Sequence, residues 1–236
     1  MKSSEEVSMR MNFKSLALLM FFVLFVSFPW AFQAYQEHEH QQPLPDRHRD
    51  RWYWQMPHKV IDEAGIKPGM TVADVGAGDG YFTFRLAKRV GPDGKVYAND
   101  IDNRGLQVVR DKCREEDIRN VTVILGKEDD PLLPEKSMDI VLMVNVIHLV
   151  KNPSLFLKNV EKSLKPGGTL VIVQWDAEKM DSEFHVEQWD PVDRERYTLR
   201  TNLRKIYDAD FEVVRIKEFL PMQRIYICQY KGFKSI

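Results

Sequence analysis

The chain has 236 residues, 44% of them hydrophobic, with 34 Lys and Arg against 35 Asp and Glu and a formal net charge of -1. That length suits one α/β domain with an appendage, and a second full domain is not expected, while the balanced charge provides no global field that would make nucleic acid the default partner. The two cysteines, Cys113 and Cys228, lack the CxxC spacing of a zinc or redox site, so both are expected as buried free thiols.

Residues 16–28 (LALLMFFVLFVSF) form an almost wholly apolar run of 13, preceded by Lys2, Arg10 and Lys14 and followed by Pro29 and Trp30. Residues 1–34 are therefore expected to be a signal peptide or an N-terminal membrane anchor, the anchoring stretch extending over 15–32. The basic flank favours an exported (periplasmic) or inner-membrane anchored domain; a segment that fails as a signal leaves the protein cytoplasmic. Glu5 and Glu6 fit poorly in a basic leader, which Met9 or Met11 as the start would restore. Residues 35–50 read as a polar linker, whose His38 and His40 have no fixed geometry for a metal, and 51–236 as the domain.

Within that domain, β-rich apolar runs at 70–75, 95–100, 121–125, 139–145 and 169–175 alternate with helical patterns, the signature of βαβ units around a parallel sheet. Asn152 is expected to cap a helix beginning at Pro153 and ending at Lys165 to Gly168. A charged helix around 193–207 precedes two strands, 211–219 and 224–230, expected as an antiparallel pair at the sheet's edge.

The first strand runs into Gly76, Ala77, Gly78, Asp79 and Gly80, and a helix pattern begins at Tyr81. Glycines there let a ligand lie against bare backbone and permit torsions closed to other residues. Asp100, 20 residues after Gly80, ends the second strand, where a carboxylate can accept both hydroxyl protons of a ribose. Asp74 can orient the loop or an amino group of the ligand. The spacing is GxGxG rather than GxGxxG, which ranks S-adenosylmethionine above NAD as the ligand.

Four segments together resemble the class I S-adenosylmethionine-dependent methyltransferases: VADVGAGDGYF (72–82), KVYANDID (95–102), GKEDDPLLPEKSMDIVL (126–142) and LKPGGTLVIV (164–173). The resemblance covers nearly all of residues 52–230, and a tryptophan-bearing lead-in (51–57), EDDP (128–131) and FLPMQ (219–223) are similar to one bacterial group. It implies a Rossmann-like fold, a mostly parallel seven-stranded sheet with helices on both faces and an antiparallel last strand. It also implies that Gly76, Gly78 and Gly80 face the methionine and ribose of the donor and that Asp100 binds the ribose, with Glu128 or Asp129 at the adenine because Lys127 stands where many relatives are acidic; Asp74, Ala77 and Ile101, beside the loop and the second strand's end, and Asn145, at the end of the fourth strand and beside the donor or acceptor, are further candidates.

Methyl transfer from a sulfonium is a direct displacement, in which alignment and water exclusion matter more than a nucleophilic side chain. His148, just beyond the fourth strand, is the candidate base for an unidentified small-molecule acceptor; packing beside the site is its other reading. Trp175, Asp176 and His185 are candidates to line an acceptor pocket, and Trp52, Tyr53 and Trp54 to form a lid. A non-catalytic exported binding module remains the alternative, because S-adenosylmethionine is made in the cytoplasm, as does another adenosyl or nucleotide enzyme such as an aminopropyltransferase or dehydrogenase.

Overall fold

A computed structural model describes residues 51–184 and 190–232. The N-terminal apolar run, the linker and His185 lie outside these residues.

Seven strands form one sheet: β1 (Thr71–Val75), β2 (Lys95–Asp100), β3 (Val121–Leu125), β4 (Met138–Val144), β5 (Leu164–Trp175), β6 (Phe211–Lys217) and β7 (Gln223–Tyr230). Their order is β3-β2-β1-β4-β5-β7-β6. The pairs among β1 to β5 are parallel, and β7 runs antiparallel to both β5 and β6. The closing antiparallel pair thus forms as expected, with β6 outermost. β7 lies inside, and its first six residues are all buried.

The helices are α1 (Arg51–Gln55), α2 (Pro57–Glu63), α3 (Thr83–Val90), α4 (Asn103–Glu115), α5 (Pro153–Ser163), α6 (Ala177–Phe184), α7 (Pro191–Glu195) and α8 (Leu199–Tyr207). The strand side chains alternate between two cores, as a pleated sheet covered on both faces requires. Val72, Leu142, Val144, Val171, Val173 and Ile225 pack with Val60 of α2 and Leu86 and Val90 of α3. Ala73, Val75, Val141, Met143, Ile172 and Tyr226 pack with Phe156, Leu157 and Val160 of α5 and Ile206 of α8. Cys228 is buried and Cys113 half-buried, both free.

Among the boundaries that differ from the sequence pattern, three have a local cause. The α5 helix starts at Pro153 with Asn152 Oδ1 accepting from Leu155 N–H, but it ends at Ser163, and Lys165 to Gly168 belong to β5. There the register jumps from the pairing of Met138 with Leu164 to that of Ile140 with Thr169. Gly167, at φ 80°, carries the irregularity. The charged stretch 193–207 is two helices, because Thr198 turns extended and its side chain caps α8 through Thr201 N–H. Finally, Asn145 leaves β4 in the left-handed region, at φ 58°.

Candidate functional site

β1 and β4 are neighbours, and the connection leaving β1 runs to β2 on one side whereas the one leaving β4 runs to β5 on the other, which leaves a crevice at their C-terminal ends. A cavity of about 220 Å³ occupies it, walled by residues that include Gly76, Asp100, Ile101, Glu128, Asn145 and Val146. Five of the residues singled out from the sequence therefore meet at one place. Leu149, Val150 and Phe156 supply an apolar wall, and Ile101 and Leu149 are 61% and 72% exposed at its rim.

The glycine loop is tied to β2 through the backbone, with Gly76 N–H and Ala77 N–H both donating to the Asn99 carbonyl at 2.8 and 3.0 Å. Asn99 is itself buried, and its Nδ2 donates to the Pro131 carbonyl at 2.8 Å, pinning the segment before β4. Asp100 accepts Gly78 N–H on Oδ2 at 2.8 Å and Asp102 N–H on Oδ1 at 2.9 Å. A carboxylate offers about four lone-pair sites, so acceptor capacity remains for a vicinal diol.

The glycines divide their duties in a way the spacing did not reveal. A Cβ on Gly76 would stand 2.1 Å from Val146 Cγ2, and one on Gly80 2.5 Å from Phe84 Cε2, whereas one on Gly78 would meet nothing within 4 Å. Gly76 and Gly80 are thus required by the protein's own packing, and Gly78, at φ 56°, leaves bare backbone beside Asp100. Ala77 turns inward against Ala98 and Val109. Gly105, in the first turn of α4, escaped the sequence reading; a Cβ there would stand 2.7 Å from the Gly78 carbonyl oxygen. Its signal was a glycine inside an amphipathic helix, where it costs about 0.5–1 kcal/mol against alanine.

Asp74 lies beneath the loop, 2% exposed, and accepts the Thr83 hydroxyl at 2.6 Å. Burial pushes its carboxyl up to about 6, against the opposing hydrogen bond from Thr83 and the charge of Arg51. Glu128, and not Asp129, stands on the cavity wall, where Lys151 Nζ contacts both its carboxylate oxygens at 3.0 and 2.8 Å. Asp129 is exposed, and its carbonyl accepts from Asn159. An exposed pair of this kind contributes at most about 1 kcal/mol, so Glu128 can exchange Lys151 for another donor.

Asn145 Oδ1 accepts from Gln223 Nε2 at 2.7 Å. This role of Gln223 was invisible in the sequence, where it was only the end of FLPMQ. His148 is not on the cavity wall; its Nδ1 lies 2.9 Å from Gln174 Nε2, and its ring centroid is 5.1 Å from that of Tyr197. Burial holds its imidazole below the ordinary value. Trp54 stacks on Trp175 at 4.9 Å, and both join Ala177, Met180, Met222 and Tyr197 in a small cluster. Asp176 is fully buried and pairs with Arg224 at 2.6 Å. Trp52 and Tyr53 remain 42% and 64% exposed.

The crevice fits an adenosyl ligand on three observations: open backbone at Gly78, a partly committed carboxylate at the β2 tip and an apolar slot beside it.

Comparison with known proteins agrees. A family model described as a methyltransferase domain matches residues 66–223. The chain is 32% identical over 151 residues to a ubiquinone/menaquinone biosynthesis C-methyltransferase of Vibrio vulnificus, covering 64% of this chain and 50% of that protein. It is 33% identical over 117 residues to the Hydrogenovibrio crunogenus protein of the same description, covering 49% and 46%. The chain thus spans about half the length of these curated relatives. A crystal structure of a SAM-dependent methyltransferase from Aquifex aeolicus superposes with a TM-score of 0.67 at 30% identity, covering 75% of this chain and 91% of that one.

Proposed function

Because the chain belongs to the family of S-adenosylmethionine-dependent methyltransferases, we propose that it transfers a methyl group from that donor to a small-molecule acceptor. The observation that carries this reading is Asp100, held against Gly78 N–H at the edge of the crevice where β1 and β4 part. When bound, the donor supplies an electrophilic methyl group on a sulfonium, transferable by direct displacement. The remaining work falls to the chain's own residues. Asp100 accepts the ribose hydroxyls, Gly78 allows close approach of the backbone, and Ile101, Leu149 and Phe156 exclude water around the adenine. Glu128 is positioned to take the adenine amino group once it releases Lys151.

Asn145, fixed by Gln223, stands at the boundary between the donor cavity and the ends of β5 and β7. His148 lies beyond that boundary, its imidazole favoured in the neutral form by burial, and serves as the base for an acceptor proton. The names of the curated relatives, C-methyltransferases of ubiquinone and menaquinone biosynthesis, make a quinone precursor methylated at carbon the first acceptor to test. The test is transfer of label from methyl-labelled donor, with release of S-adenosylhomocysteine. Labelled product supports the reading; no transfer to hydroquinone, phenol or amine acceptors by a chain that binds the donor favours a non-catalytic module.

The composition of residues 16–28 further supports export or membrane anchoring of the chain. Fusing residues 1–45 to a reporter active only outside the cytoplasm tests this, and a silent reporter overturns it.

A further inference from the structure

The donor carries two recognition problems, and Asp100 and the apolar slot address only one of them. The adenosine end is neutral, whereas the amino-acid end has a carboxylate and an ammonium, and a carboxylate taken out of water needs a cationic or hydrogen-bonding partner. Such a partner stands at the exit of the glycine loop. Tyr81, the residue after Gly80, has the Arg51 guanidinium 4.1 Å from its ring centroid and the Arg85 guanidinium 4.0 Å from the same centroid. Arg85 is committed to the protein, donating to the Tyr81 carbonyl. Among the described residues Arg51 bonds Gln55 alone, through Nε, which leaves its two terminal nitrogens to form a bidentate fork.

Arg51 reaches this place through an unusual lead-in. The helix α1 stops at Gln55, which is fully buried, and Met56 turns left-handed at φ 42° before Pro57 opens α2. A residue before proline is disfavoured in the right-handed helical region, so the chain bends there, and Arg51 at the start of α1 meets Tyr81 just after the glycine loop. Trp54 anchors the other side of this helix on Trp175. Asp79, exposed in the loop, acts on Arg51, so both signs of charge stand here, as the two ends of an amino acid require.

We infer that Arg51 is the residue that binds the carboxylate of the donor's amino-acid end, brought to the exit of the glycine loop by the bent lead-in α1–α2. The inference rests on the adenosylmethionine reading of the crevice and extends it to a residue 25 positions before Gly76.

The test compares two ligands that differ only where Arg51 acts. S-adenosylhomocysteine carries the amino acid, and 5′-methylthioadenosine keeps the adenosine and the sulfur without it. Dissociation constants for both are measured by calorimetry on the full chain and on Arg51→Ala and Arg51→Lys, with ligand-free melting of each. The expected result is a loss of about 10- to 100-fold for S-adenosylhomocysteine in Arg51→Ala, as for a charge-assisted hydrogen bond. Arg51→Lys should fall between, with methylthioadenosine changed less than about twofold in either variant. Equal weakening of both ligands would mean that Arg51 only supports the fold, and unchanged binding of both would mean that it does not touch the ligand; either overturns the inference alone. Failure of the unmutated chain to bind either ligand overturns the parent reading as well.

Discussion

Asp74→Asn tests the physics of the loop apart from its chemistry. Asp74 is 2% exposed, and burial raises its carboxyl from 3.8 to about 6. An acid whose folded value is raised binds its proton more tightly in the native chain than in the unfolded one. Its charged form therefore costs stability, which is lost as the pH rises from about 4 to about 6 and stays lost above that. A displacement of about 2 units at 1.36 kcal/mol each amounts to roughly 3 kcal/mol. Asparagine is neutral throughout, and its amide oxygen can still accept the Thr83 hydroxyl that Asp74 holds at 2.6 Å. The variant should match the parent near pH 4 and exceed it by about 2–3 kcal/mol at pH 7.5, a rise in Tm of roughly 5–10 °C for a chain of this size. Denaturant unfolding followed by circular dichroism at pH 4, 5.5 and 7.5 measures the gap. A gap that is constant with pH, or a variant less stable than the parent at pH 7.5, would refute the reasoning.

Other substitutions separate packing from ligand contact. Gly76→Ala places a Cβ 2.1 Å from Val146 Cγ2 at φ 77° and should destabilise the chain by about 2–4 kcal/mol, read from its melting curve. Gly78→Ala meets no atom within 4 Å, so it should cost only about 1–2 kcal/mol of backbone strain while weakening S-adenosylhomocysteine about tenfold or more, seen by calorimetry. His148→Ala, outside the cavity wall, should leave donor affinity within about twofold and lower kcat on the order of 100-fold. In the unmutated chain the rate should rise with pH through a value below that of a free imidazole, because burial lowers the His148 imidazole; equal loss of affinity and rate in the variant would remove His148 from the base role.

Local signals were legible in the sequence and tertiary ones were not. The strand, glycine turn and carboxylate at 71–80 and 100 are written in adjacent residues, because φ above zero and bare backbone restrict the choice to glycine. Asn152 and Pro153 marked the start of α5 for the same local reason. By contrast, Val146 fills the space over Gly76 and Gln223 fixes Asn145, pairings 70 and 78 positions apart that no periodicity encodes. The division of 193–207 into α7 and α8 was written in Thr198, but charge periodicity masked it. Asp129 and Glu128 are equivalent as letters, and only the turn in which Lys127 N–H bonds the Asp130 carbonyl decides which faces the cavity.

The most direct measurement is a calorimetric titration of the full chain and of its Asp100→Ala variant with S-adenosylhomocysteine, with NAD as the control ligand. One site per chain is expected for S-adenosylhomocysteine, weakened at least about tenfold in the variant, with no heat from NAD. Binding of NAD alone, or equal affinity of parent and variant for S-adenosylhomocysteine, would contradict a ribose held by Asp100 in the β1–β4 crevice.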